Sequence, residues 1–322
     1  MLGMRIKPIL KRMYRKVFPS KGNGLHATAD FWDETETALA LEYWWNIQTI
    51  RELIMKRITG SPELSWFTKK ILEKKTPFGR VLTFGDGHGM AAEAFQRKRD
   101  TSEIVSINLS SGEGQRFEKT METVAMDQPY RFVQADANTF AYKQLGLFDT
   151  IIDVGAFHHF EKFETAFPRI NEVLKKDGLL YIDEFVGPSK YHFKKEIVAI
   201  INEWLQILPP SLIANRRQVK QSDFIDLWKS CPDPSECVRS GDLDKALKDN
   251  FQLLEGNDVG ATLLQPFFLT SYLSPCRLNI ANWHHTLEGK ESAAKLVRQE
   301  EELMKNGEIT SDYRYYVFTH KE

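Results

Sequence analysis

Two adjacent histidines, His158 and His159, follow the apolar run 148–154 and Gly155, and a carboxylate, Glu184, follows the apolar run 178–183. Imidazole titrates near neutrality, so a histidine in such a place suits proton removal from an acceptor. Glu184 is the competing base. Each has a structural alternative: one ring of the pair packs and the other caps a turn, and Glu184 makes a salt bridge or a helix cap. Upstream, residues 81–84 run into three glycines on alternate positions, Gly85, Gly87 and Gly89, with Asp86 and His88 between them. A residue without a Cβ lets a ligand approach the main chain closely. Ala91, Ala92, Glu93 and Ala94 continue with helix-forming residues. Strand, tight turn and helix in that order open a nucleotide-binding α/β unit. The third glycine comes one position too early for the dinucleotide fingerprint, and Asn108 stands where that fingerprint needs an acid.

The elements that must position these groups repeat the unit. Residues 103–109, 130–135, 148–154 and 178–183 read as further strands, and 163–176 as a helix stopped at Lys176-Asp177-Gly178. Apolar strands alternating with helices imply a parallel sheet covered on both faces. Ligands of such sheets sit at the carboxyl ends of the strands. Gly85, Asn108, Asp136, Gly155, His158 and Glu184 all fall at or just beyond such ends, so one cleft is expected to collect them.

Across roughly residues 75–187 the chain resembles the class I S-adenosylmethionine-dependent methyltransferases. Val81-Leu-Thr-Phe-Gly-Asp-Gly-His-Gly89 is similar to the family's first motif, and Ala135-Asp136-Ala137-Asn138 to its adenine loop. Residues 148–149 through Ala156-Phe157-His158-His159-Phe160 are similar to its fourth-strand motif, and 174–180 to the loop before the fifth strand. More loosely, 183–189 and Asp233-Pro-Ser-Glu-Cys-Val-Arg-Ser240 resemble a bacterial subgroup associated with glycan modification. The resemblance implies a Rossmann-like seven-stranded α/β sheet of order 3-2-1-4-5-7-6, helices on both faces and a helical cap. It implies S-adenosyl-L-methionine as cofactor, held by Phe84, Gly85, Asp86, Gly87, Gly89, Asn108, Leu109, Asp136, Ala137 and Gly155. Two departures stand out: Thr83 replaces an acid two residues before the first glycine, and Asn108 replaces the acid that grips the ribose. An asparagine still hydrogen-bonds a diol, without charge assistance.

The rest of the chain frames this core. Its 322 residues are 42% hydrophobic and 27% charged, with a net charge of -1, enough for one substantial core with an attached cap. That balance offers no electrostatic footprint for nucleic acid. Three cysteines, with no Cys-x-x-Cys pair, fit a reducing, cytoplasmic setting. No run is apolar enough to span a bilayer. Residues 1–24 form a basic segment, and 1–18 interleave Lys and Arg with apolar residues in the manner of a helix lying on an anionic inner-membrane surface, or of a solvated terminus. Residues 25–75 are expected to be helical, 76–190 the cofactor-binding core, 191–250 a helical substrate cap, and 251–322 the elements completing the sheet.

Residues 194–208, 222–228, 243–250, 262–272 and 291–306 carry helical patterns, and 251–255 and 312–320 strand patterns. Tyr191, His192 and Trp45 are candidates for the acceptor pocket; Tyr191 and His192 read equally as the exposed start of the next helix, and Trp44-Trp45 reads more readily as core between helix and sheet. Arg216-Arg217 and Arg239 are candidates for an anionic acceptor. His284-His285 lacks a carboxylate or cysteine at coordinating spacing, and no metal is expected. Taken together, the residues and the resemblance point to O-methylation of a glycan or other small polar acceptor, with C- or N-methylation of a small metabolite, or a degenerate cofactor-binding scaffold, as alternatives.

Overall fold

Strand β1 (Gly79–Phe84) lies between two parallel neighbours, so Val81, Leu82 and Phe84 have no exposed side. The computed structural model describes residues 28–29, 43–74, 76–85, 101–123, 129–273 and 277–322. Around β1 run β2 (Thr101–Asn108), β3 (Tyr130–Gln134), β4 (Phe148–Val154) and β5 (Leu174–Phe185), all parallel. Farther along the chain come β6 (Ile213–Asn215), β7 (Phe251–Gly260), β8 (Arg277–Leu278) and β9 (Tyr313–His320). The large sheet has the order β3-β2-β1-β4-β5-β9-β7, and β9 is antiparallel to both β5 and β7. Counted among the strands of that sheet alone, this is the expected order 3-2-1-4-5-7-6. The short β6 and β8 pair separately.

Side chains alternate between two cores, as a pleat of period two requires. Val81 and Tyr181 join the first core, and Leu82, Leu180 and Ile182 join the second. The first core takes in α1 (Gln48–Thr59) and α2 (Trp66–Glu73), together with much of the chain beyond β5. Gly60, with φ 85°, ends α1 in the left-handed conformation glycine tolerates, and the Ser65 hydroxyl caps α2 by accepting from the Thr68 N–H at 3.0 Å. Helix α3 (Ser111–Thr123) follows β2, and α4 (Phe163–Asn171) packs Phe163, Phe167 and Ile170 into the second core.

Helix α4 is shorter than its sequence pattern suggests. The Phe148 N–H donates to the Val173 carbonyl at 2.8 Å, and Leu174 already pairs with Phe148. The strand therefore takes in residues 174–176, which a local reading assigns to the helix.

Beyond β5 come α5 (Lys195–Ile207), α6 (Gln221–Lys229), α7 (Ser240–Asn250), α8 (Leu264–Leu269), α9 (Ile280–His285) and α10 (Leu287–Lys305). The helical stretch expected at 262–272 divides into α8 and a 3-10 turn, Thr270–Tyr272. Its start is set by a residue distant in sequence. The buried carboxylate of Glu300 on α10 accepts from the N–H groups of Ala261 (3.0 Å), Leu263 (2.6 Å) and Leu264 (3.1 Å). Those N–H groups have no intrahelical partner, so the carboxylate satisfies them as a cap would. Among the described residues no helix is long and apolar enough to cross a membrane. The basic segment 1–24 and the glycines and acid at 86–89 lie outside the described residues.

Candidate functional site

At the carboxyl ends of β1, β2 and β4, and beside the loop after β3, the sheet opens into a cavity of about 180 Å³. Phe84, Gly85, Asn108, Leu109, Asp136, Ala137 and Gly155 line it, which is every described member of the cofactor set expected from the sequence. Thr28, His159 and Ser235 complete its wall from other parts of the chain.

Local chemistry explains the shape. Gly85 has φ 68°, and a Cβ there would stand 2.4 Å from the Val154 carbonyl oxygen, so no other residue fits. Gly155 has φ 61° but open space beside it; the nearest atom to a Cβ would be His158 Cε1 at 3.9 Å. Its requirement is the backbone angle. The chain past Gly155 is then held by Asp153, whose buried carboxylate accepts from the Ala156 N–H (3.2 Å) and the Phe157 N–H (3.1 Å). The result is a single 3-10 turn, Phe157–His159, that presents both histidines.

Asp136 acts on its own loop. Its carboxylate accepts from the Asn138 N–H (2.9 Å), the Asn138 Nδ2 (3.0 Å) and the Thr139 hydroxyl (2.9 Å). Asn138 Oδ1 in turn accepts from the N–H groups of Glu161 and Lys162, both at 2.9 Å, tying this loop to the one after the histidines. Asn108 Oδ1 accepts from the Ser110 N–H at 3.0 Å. Thr83 is fully buried, and its hydroxyl has no hydrogen-bond partner among the described residues.

The histidines meet a set of acids. Glu184, buried at the end of β5, accepts from the His158 N–H at 3.1 Å and pairs with His158 Nδ1 through the same oxygen. His159 Nδ1 lies 3.0 Å from the Ser235 hydroxyl and 3.3 Å from Asp233. The Nε2 atoms of His158 and His159 lie 3.7 and 3.9 Å from one oxygen of Glu236. The other Glu236 oxygen accepts from the Tyr191 hydroxyl (3.1 Å) and the Cys237 thiol (3.0 Å). Thr28 donates to Asp233 at 2.9 Å.

The two ring centroids lie 4.1 Å apart, and their surroundings shift the two imidazoles in opposite directions. Burial opposes protonation of His158, but Glu184 and Glu236 outweigh it and hold its pKa well above the ordinary value. Burial and the charge on His158 push His159 below it. Burial also opposes ionisation of Glu236, yet the neighbouring histidines keep it well below the usual carboxylate range. Asp153 is pushed far up by burial and by Glu184 beside it.

The structure places the other candidate residues as follows. His192 is exposed and its Nδ1 lies 3.0 Å from the Ser189 carbonyl, so it does not join the cluster. Trp45 is half-buried, packs edge-on to buried Trp44 at 5.3 Å and lies against the first core. Arg216 donates to the Gln206 carbonyl at 3.1 Å near the end of α5, and Arg239 grips Glu164 with two bonds of 2.9 and 3.0 Å. Glu184 orients His158 and does not line the cavity. Tyr191 does join the cluster through Glu236. Nothing in the local sequence around Asp153, Asp233, Ser235 or Glu236 marks them as partners of the histidines. The last three lie in the stretch 233–240, and their meeting with the histidines is a contact between segments more than 70 residues apart in the chain.

Comparison with known proteins agrees with this geometry. Residues 82–182 match the family model described as a methyltransferase domain. Uncharacterised methyltransferases of Mycobacterium tuberculosis and Mycobacterium bovis are 28% identical over 121 residues, 37% of this chain and 58% of theirs. The chain thus spans a little over half the length of the curated relatives it matches. Among solved structures, the cyclopropane synthase MmaA2 of M. tuberculosis superposes with a TM-score of 0.53 at 13% identity, covering 93% of this chain and 99% of that one. The geranyl diphosphate C-methyltransferase of Streptomyces coelicolor, solved with Mg2+, geranyl diphosphate and S-adenosyl-L-homocysteine, gives 0.51 at 12% identity, covering 94% and 100%. At such identities these two bear on the fold. The matched segment runs from β1 to β5, so residues 82–182 carry a methyltransferase domain, set on a Rossmann-like sheet of the order expected from the sequence.

Proposed function

We propose that this protein uses S-adenosylmethionine to methylate an oxygen of a small polar acceptor, with a glycan hydroxyl as the first class to test. The observation that supports this most is a shared wall: His159 and Ser235 line the strand-tip cavity and also belong to the histidine–carboxylate cluster. The cavity suits the cofactor because its described lining is the expected set and because Gly155 leaves open space where a side chain would stand.

When bound, the cofactor supplies a methyl group on a sulfonium, already activated for attack. Gly85, Asn108, Leu109, Asp136, Ala137 and Gly155 would hold it, the Asp136 loop being stiffened in advance by its own hydrogen bonds. Attack needs an acceptor lone pair aimed in line, so much of the acceleration comes from positioning and exclusion of water. A hydroxyl is a poor nucleophile until it is deprotonated or polarised. The cluster of His158, His159 and Glu236 stands beside the cavity and is positioned to do this. Glu184 and Asp233 hold the two rings from behind, and Tyr191 holds Glu236.

Calorimetry with S-adenosylmethionine and S-adenosylhomocysteine tests the first half, and absence of binding by both overturns the enzyme reading. Mass spectrometry of metabolites and glycans from cells with and without the protein tests the second. A gain of one methyl on oxygen is expected, and a methyl found only on carbon or nitrogen overturns the choice of oxygen.

A further inference from the structure

Three donors from two distant parts of the chain converge at this cluster. One ligand-type atom each from His158, His159 and Glu236 lies within 4.8 Å of the others. Each histidine is engaged at Nδ1, His158 by Glu184 and His159 by Asp233 and Ser235. A ring held at Nδ1 by a carboxylate presents a lone pair at Nε2, which is how metal-binding imidazoles are fixed in tautomer and direction. Both Nε2 atoms face the same Glu236 oxygen, at 3.7 and 3.9 Å. The other Glu236 oxygen is already engaged by Tyr191 and Cys237, so the first is left for the histidine side.

We infer that His158, His159 and Glu236 form a binding site for a divalent first-row transition ion. Two imidazoles and one carboxylate suit zinc, manganese, iron or cobalt, whereas magnesium and calcium favour all-oxygen sites. Ligand atoms on a tetrahedral ion at about 2.1 Å stand roughly 3.4 Å apart, so the site is open by a few tenths of an ångström at the two Glu236 distances and contracts on binding. Charge supports it as well: among the described residues Glu184 and Glu236 pair with histidines and with no lysine or arginine. Three protein ligands leave a coordination position open, as in catalytic rather than structural sites. His159 lines the cavity, so that position is available to an acceptor oxygen. The ion would then be the polarising group for the hydroxyl. This role rests on the methyl-transfer reading above, while the site itself rests on the geometry.

The sequence offered no coordinating spacing, because Glu236 comes from the cap and the histidines from the turn after β4.

The test uses the full chain stripped with EDTA. Titration with Co2+ should give one ion per chain with visible d–d absorption, displaced by Zn2+. Calorimetry should show Zn2+ affinity falling at least about tenfold in His159→Ala and in Glu236→Gln. Asp233→Asn, which removes the charge behind His159 Nδ1 without removing a ligand, should weaken it by about 10- to 100-fold. Failure of the unaltered chain to bind Zn2+, Mn2+ or Co2+ stoichiometrically overturns the inference. So does a Zn2+ affinity unchanged in His159→Ala and Glu236→Gln variants that melt like the parent. Cofactor binding is measured in parallel on the stripped protein. Ion binding without cofactor binding supports the site and sinks the methyl-transfer reading alone.

Discussion

One Glu184 oxygen takes both the backbone N–H of His158, at 3.1 Å, and its ring Nδ1. The carboxylate belongs to β5 and the histidine to the turn after β4, so a single buried side chain sets both the path of the turn and the direction of the ring. Removing one member of a buried pair leaves the other uncompensated. Glu184→Ala should therefore cost about 3 kcal/mol in urea unfolding, and Glu184→Gln should recover much of it while leaving turnover depressed. Full turnover in Glu184→Gln would contradict a role in orienting His158.

Gly85 and Gly155 both have positive φ, at 68° and 61°, but differ in what surrounds them. Gly85→Ala forces a Cβ to 2.4 Å from the Val154 carbonyl and should abolish cofactor binding by calorimetry and lower the melting temperature sharply. Gly155→Ala meets only the angular penalty, about 1–2 kcal/mol. Equal damage from both would show that the close approach at Gly85 is not what demands glycine.

Asp136→Ala unties the loop that Asn138 and Thr139 complete. Hydrogen bonds to a charged group contribute about 1.5–3 kcal/mol, so cofactor affinity should fall roughly ten- to a hundredfold. A parental dissociation constant would remove this loop from the binding site.

Stability should depend on Asp312, a buried carboxyl next to β9 whose pKa is pushed up to about 7 by burial and by Glu300 nearby. The folded state holds this proton more tightly than the unfolded chain does. Its contribution is therefore full below about pH 4 and is lost as pH rises to about 7. The slope approaches about 1.4 kcal/mol per pH unit inside that window. Asp312→Asn should flatten the profile between pH 4 and 7 in denaturant titrations; an unaltered slope would assign the dependence to another group.

Arg239 grips Glu164, lies 5.0 Å from the Phe163 ring and is not among the residues that line the cavity. Arg239→Ala should leave the acceptor KM unchanged in steady-state assays. A raised KM would restore it as an anion contact.

The sequence by itself determined the central architecture and most of the cavity. Residues 81–84, 148–154 and 178–183 are apolar runs ended by glycine or acid, and such local signals survive folding because each strand buries both faces. The tips Gly85, Asn108, Asp136 and Gly155 follow directly from where those strands end, and all four line the cavity. What only the tertiary structure decided is the company kept by the histidines. Asp233, Ser235 and Glu236 reach them because the cap folds back over the turn after β4, a contact between segments far apart in the chain. The end of α4 went the same way: residues 174–176 have a helical pattern, yet pairing of Leu174 with Phe148 starts β5 there. Trp45, His192, Arg216 and Arg239 carry the right chemistry for a pocket, but packing and nearer hydrogen-bond partners engage them elsewhere. Residue type states what a side chain can do, and only its three-dimensional neighbours settle which of those things it does.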